Sequence, residues 1–428
     1  MNRGRGLTLF LFLFAVVGLA VFAGGQGEKE QQNVVIMVGS HGQYLIEETM
    51  EAFMAEHPTI SVEAVAISSV PQESWQTYTT MFAAQDGSAH IVGMYPTDVV
   101  HMAEAGWLTD LSQLYDPSYE KELEKFNRTA VEINTVGGNL YAVPLYADAL
   151  LLYYRKDLLE KYGFQPPTTW DELTKQVQTI KAGENDPNLA GYIFQAPKIE
   201  GVVCNFVNFQ SGVGGEIMKD GKIVLDSPKN REALRFMVGL VQKGIAPESV
   251  TTHNPNDDSI QFGNGNAIFM NNWPFALNKY LDPESKVYGK VGITRMVGND
   301  QPGASCLGGV SIGINNFSED KDGAWEFVKY ITNYEWNKQR AIRSSLLPAR
   351  DAVYQDPELL EKNPAFKLLA EGAQYLKSRP THQTKYYIKL ADRMQYHFNK
   401  AMLGMQTPEE ALTNAQAEMN KILEEEAE

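Results

Sequence analysis

Trp273 stands near the end of the run AIFMNNWPF, residues 267–275, and is followed at once by Pro274. Three apolar residues there predict a buried strand. An indole at a strand end, fixed by a following proline, is a rigid flat platform, and sugars present flat C–H faces to such platforms. Core burial is the commoner fate of a single tryptophan, and composition alone does not separate the two. Motifs for covalent or metal chemistry are missing. There is no HExxH, no zinc spacing and no Ser/His/Asp arrangement; the seven histidines are scattered and none pairs at i, i+4. Cys204 and Cys306, the two cysteines, have no CxxC spacing. In an oxidising compartment they could pair, but unpaired buried thiols are the reading preferred here.

The elements that position such residues begin with residues 140–173, LYAVPLYADALLLYYRKDLLEKYGFQPPTTWDEL. Residues 141–146 favour extended backbone, interrupted by Pro144, which has no N–H to give to a ladder. Residues 149–154 are dense enough in aliphatic and aromatic side chains for a strand buried on both faces. Residues 155–162 predict a short helix ended by Gly163, with Pro166 and Pro167 beyond it. Thr169 caps the next helix, because Glu172 follows three residues later as a capping box requires. A passage from one buried strand through a proline-marked kink into another fits a crossing between lobes, or a strand–loop–strand inside one domain.

Upstream, strands at 33–38, 60–67 and 89–95 alternate with helices at 44–56, 75–85 and 97–105. This predicts a parallel α/β sheet with its ligand loops at the strands' carboxyl ends. Downstream, helices near 170–182 and 230–243 alternate with strands at 191–195 and 222–225. Asp220-Gly221 predicts a hairpin turn, and Ser227-Pro228 a helix start.

At 428 residues the chain has room for two domains. Its 43% hydrophobic and 21% charged content is that of a globular protein. Residues 1–23 read as a secretion signal: Arg3 and Arg5 precede an apolar run, and Val21-Phe22-Ala23 offers a cleavage site. An uncleaved anchor is the alternative. Residues 24–32 then form a flexible polar linker. Without Arg3 and Arg5, 35 basic residues face 53 acidic ones, a net charge of −18. That balance argues against nucleic-acid and anionic-membrane binding.

The 140–173 stretch resembles the first interdomain crossing of the extracellular solute-binding proteins of ABC transporters, in the branch that binds maltose, trehalose and related sugars. Pro144, Tyr154, Asp157, Pro167 and Trp170 are among the residues that carry the likeness. Residues 305–314, SCLGGVSIGI, resemble the second crossing and residues 346–350, LLPAR, the third. The resemblance implies a two-lobed, type II periplasmic-binding-protein fold of class α/β. Each lobe would be a mainly parallel sheet flanked by helices. Residues 33–148 with 311–346 would form the first lobe, and 149–310 with 347–428 the second. Hinges would lie near 147–149, 308–311 and 346–350.

The same resemblance places a stacking tryptophan at Trp273 and sugar contacts at Tyr146, Asp148 and Arg379. Gly309, beside Gly308, would let backbone approach ligand. First-lobe loops would bring His41, Gln43 and Tyr95 to the cleft. There the chain departs from the branch, because Tyr95 stands where an aspartate is usual. Val310 stands where many relatives have a second stacking tryptophan, which points to a smaller or differently oriented ligand, or to replacement by Trp75 or Phe275. No lipid-bearing cysteine follows the signal; Gly24 and Gly25 stand there.

The function implied is capture of a sugar, a di- or oligosaccharide, for a membrane permease, by a monomer working in the periplasm or beyond the inner membrane, with no cofactor. A cleft for iron, a polyamine or a peptide is the alternative. A secreted carbohydrate-active enzyme would need two carboxylates roughly 5–10 Å apart, and Asp148 alone qualifies as a cleft acid.

Overall fold

The computed structural model describes residues 31–43, 45–69, 71–372 and 375–426. The signal segment 1–23 and nearly all of the 24–32 linker lie outside the described residues. Among those described, the chain forms fourteen strands: β1 Gln32–Gly39, β2 Ile60–Ile67, β3 Ile91–Met94, β4 Thr135–Val136, β5 Asn139–Leu140, β6 Val143–Ala149, β7 Leu151–Arg155, β8 Ala190–Ile193, β9 Met218–Lys219, β10 Lys222–Ile223, β11 Ala267–Asn272, β12 Val291–Thr294, β13 Ser305–Ile314 and β14 Leu376–Lys377.

Alternation in β1 sends Val34, Ile36 and Val38 into the core, and this fixes its register on β2, from Gln32 opposite Ile60 to Gly39 opposite Ile67. β3, buried along its whole length, lies on the other side of β1, and both pairings are parallel. The order is β14-β13-β3-β1-β2, with β6 also on β13. The Pro71–Ala83 helix covers this sheet with Tyr78, Met81 and Phe82. Residues 39–43, expected as loop, partly wind into a short Ser40–Gln43 helix. Gly39 packs there against Ser69, whose hydroxyl lies 3.1 Å from that of Ser40.

The second lobe's sheet runs β12-β7-β11-β8. Here the expectation of a mainly parallel sheet is corrected: β11 and β8 pair in parallel, but β7 is antiparallel to both of its neighbours. The cause is connectivity, since β7 enters directly from the crossing strand β6 with only Leu150 between them. Leu151, Leu152 and Tyr153 of β7 are fully buried, as the apolar run predicted. Thr169 and Glu172 form the capping box of the Trp170–Glu184 helix. That helix buries Trp170, Leu173, Val177 and Ile180, and Trp170 stacks on Phe236 with ring centres 4.2 Å apart. Asp220 and Gly221, both at positive φ, make the turn between β9 and β10. Helices Tyr387–Met402 and Pro408–Glu425 pack on each other; the first packs on the Glu200–Ser211 helix and the second on Pro228–Gln242.

Three chain segments join the lobes, and they meet at Ala147. This residue of β6 stands opposite Gly309 of β13 and also bridges to Leu347, whose carbonyl accepts its N–H at 3.0 Å.

Candidate functional site

The site is built on the pairing of β6 with β13. Successive side chains of a strand alternate, so Tyr146 and Asp148 share one face of β6. Opposite them on β13 stand Val310 and Gly308 respectively. Gly308 leaves its share of that face empty, and the benzene half of the Trp273 indole fills it. A Cβ added at Gly308 would lie only 2.6 Å from Cζ3 of Trp273. Trp273, Asp148 and Tyr146 therefore form one strip along the crossing, each partly exposed.

Trp273 is held at both ends of its backbone. Its N–H donates to Asn272 Oδ1 at 2.9 Å, and its carbonyl accepts from the Tyr153 hydroxyl at 2.9 Å. Behind it, Asn271, Asn205, Gln195 and Asp258 form a buried polar network that anchors the end of β11. These bonds fix the backbone from which the indole projects.

Asp148 accepts the N–H of Ala149 at 3.2 Å. It has no ion pair among the described residues: Arg155, a conceivable partner, instead forks onto Asp157 at 2.7 and 2.6 Å and reaches the Gly265 carbonyl. Removal from water pushes the Asp148 carboxyl well above the ordinary carboxylate range, against the single backbone bond that lowers it. Such a carboxylate has lone pairs directed at few protein donors, and it gains from hydroxyl donors supplied by a ligand.

Tyr146 and Val310 also line a cavity of about 40 Å³ at the carboxyl ends of β1, β2 and β3. Gly39, Gly42, Ser69 and Tyr95 complete its first-lobe wall. Tyr95 is fixed by its hydroxyl, which donates to the Ser69 carbonyl at 2.8 Å. Burial, with Asp98 nearby, pushes its phenol up to about 12, so it is a neutral donor. Asp98 accepts the Tyr95 N–H at 3.1 Å and the Thr97 hydroxyl at 2.8 Å; burial pushes its carboxyl up to about 6. The strip on β6 and β13 thus runs from Trp273 through Asp148 to Tyr146, which also lines this cavity at the carboxyl ends of the first-lobe strands.

A family profile for bacterial extracellular solute-binding proteins matches residues 39–338. This chain belongs to that family. A probable ABC transporter-binding protein of Deinococcus radiodurans is 33% identical over 367 residues, covering 84% of this chain and 86% of the relative. Maltose-bound MalE3 of T. maritima superposes with a TM-score of 0.82 at 33% identity, over 91% of this chain and 99% of that one. A maltotriose-binding protein of Pyrococcus abyssi is 26% identical over 263 residues, covering 60% of this chain and 54% of its own. The two-lobed fold and the role of solute-binding component of an ABC transporter follow. So does work outside the cytoplasmic membrane, with a small-molecule ligand and a membrane permease as partners. No helix among the described residues is long and apolar enough to cross a membrane.

The remaining expected contacts of this solute-binding protein are dispersed. Gln43 ends the short Ser40–Gln43 helix beside Gly42 of the cavity; of His41, in the same turn, only the backbone lies within the described residues. Phe275 opens the Phe275–Leu281 helix two residues after Trp273, partly buried, with the Lys279 ammonium 5.3 Å from its ring centre. Trp75 packs edge-on against His101, ring centres 4.9 Å apart, and near Trp107 in the first lobe's aromatic cluster. Gly309 adopts φ +121°, and a Cβ there would meet the Tyr146 carbonyl at 2.4 Å.

Arg379 is buried. Its Nη1 pairs with Glu200 at 2.8 Å and its Nη2 donates to the Leu307 carbonyl at 3.2 Å. Glu200 is held in turn by Tyr387 and Gln395. The arginine's fork thus grips the strand residue just before Gly308. One neighbour of the strip was not anticipated: Tyr354, just after the third crossing, lies within electrostatic reach of Asp148 and packs on Phe366. Its only signal in sequence is an aromatic four residues after LLPAR, which is too little to single it out.

Proposed function

We propose that this solute-binding protein captures a di- or oligosaccharide in the interlobe cleft, stacking one ring on Trp273 and giving hydroxyl donors the carboxylate of Asp148. The observation that carries the proposal is the Trp273 indole seated on Gly308, directly across the ladder from Asp148. It sets an apolar face at right reach of a hydrogen-bond acceptor, which is what a sugar ring, apolar above and polar at its rim, requires. Tyr146 extends the strip toward Tyr95 and the first-lobe cavity. The maltose bound by MalE3 supports the same ligand class.

Residues 33–148 with 311–346 would move against 149–310 with 347–428, as a monomer, about the three segments that meet at Ala147. Ligand stabilises the closed arrangement because only there do both lobes touch it. Thermal melting of the mature chain against mono-, di- and oligosaccharides, with iron, polyamines and peptides as controls, tests the proposal. A sugar at 100 times its dissociation constant adds about 2.7 kcal/mol, and Trp273→Ala removes the shift. A shift given by a control solute and by no sugar overturns it.

A further inference from the structure

Cys204 and Cys306 are far apart in sequence, yet the fold packs the helix of one against the strand of the other. Cys204 lies on the Glu200–Ser211 helix, which packs on β13, where Cys306 sits two residues before Gly308. Asn208, one helical turn after Cys204, accepts the Cys306 N–H at 2.7 Å, so that face of the helix is aligned on this point of the strand. Both side chains are buried, and each lies close enough to perturb the ionisation of the other. Arg379 lies beside them, anchored by its own bond to Leu307.

We propose that Cys204 and Cys306 are a disulfide site, and that the bond staples the second-lobe end of β13 to the Glu200–Ser211 helix next to the crossing. A protein working outside the cytoplasmic membrane meets oxidants able to make it. The step is thiol–disulfide exchange with an external disulfide. One cysteine thiolate attacks the external disulfide, expelling a thiolate and leaving a mixed disulfide. The second cysteine then attacks the protein sulfur, expelling the other half. Two protein thiols lose two protons and two electrons; the external disulfide is reduced to two thiols. Because both sulfurs are enclosed in the folded lobe, exchange occurs as the lobe folds.

The test uses the mature chain, refolded from the reduced, denatured state in excess oxidised glutathione, then denatured and alkylated without reductant. Digestion and mass spectrometry should recover one peptide pair joined through Cys204 and Cys306, with neither cysteine alkylated. Closing a loop of about 100 residues should raise the melting temperature of this form by about 5–10 °C over the same chain kept reduced. Cys306→Ser should melt with the reduced form whether or not oxidant is present. Recovery of both cysteines alkylated, or carrying only glutathione, overturns the proposal. The mass measurement needs no variant, so a failure of Cys306→Ser to fold does not obscure it.

Discussion

In the proposed cleft, Asp148 would couple ligand binding to pH. Its folded carboxyl has a raised pKa, so the unliganded fold favours the protonated form. Its contribution to stability is therefore present at low pH and is lost as pH rises from the ordinary carboxylate range through the raised value. Asp148→Asn should raise the melting temperature of the unliganded protein at neutral pH. A ligand that donates hydroxyl hydrogens prefers the carboxylate, so affinity should fall as pH drops through the raised pKa, and this slope should vanish in Asp148→Asn. Calorimetric titration across pH measures both. The same variant should bind its sugar about 10–100-fold more weakly at neutral pH, the scale of hydrogen bonds to a charged group. Trp273 contributes differently, by area and shape, so Trp273→Phe should retain part of the affinity that Trp273→Ala loses.

At the scale of elements, the ladder between β6 and β13 decides the site. Its register shifts between Val310 and Ser311, skipping Leu145 of β6, and Gly309 beside that point adopts φ +121°. Gly309→Ala would force a Cβ against backbone in a conformation that L residues rarely adopt, and a loss of roughly 1–3 kcal/mol or more is expected in chemical denaturation. Gly308→Ala differs, because its obstacle is the Trp273 ring rather than backbone. There the indole should shift, with a loss of about 1–3 kcal/mol in stability and a sugar affinity reduced at least about tenfold. Intrinsic fluorescence of the unliganded protein should report the displaced ring. If Gly308→Ala binds sugar as the parent does, the indole's seat on this strand is not what orients it.

At the scale of the whole molecule, two sheets with separate cores are joined by the paired strands β6 and β13 and by a third segment that meets them at Ala147. In the proposed closure the lobes would turn about this meeting point with its hydrogen bonds kept. Small-angle scattering should show the radius of gyration fall when the sugar identified by melting is added, and Trp273→Ala should show no change at the same concentration. Ion pairs such as Lys385–Glu104, between the first lobe and the C-terminal region, are exposed and add little to either state.

The sequence by itself determined what is local. The capping box at Thr169, the turn at Asp220-Gly221 and the proline start at Pro228 each follow from bonds within four residues, and each stands as expected. Alternation in β1 and the apolar run of β7 were readable for the same reason. The crossing motif carried the family. Tertiary structure alone decided what lies across from what. Only the pairing of β6 with β13 puts Gly308 opposite Asp148, and only packing against Glu200 and Leu307 commits the fork of Arg379. Where Trp75 packs, against His101 and near Trp107, is likewise set only by the fold. Such contacts join residues far apart in the chain, and their geometry depends on every element packed between them.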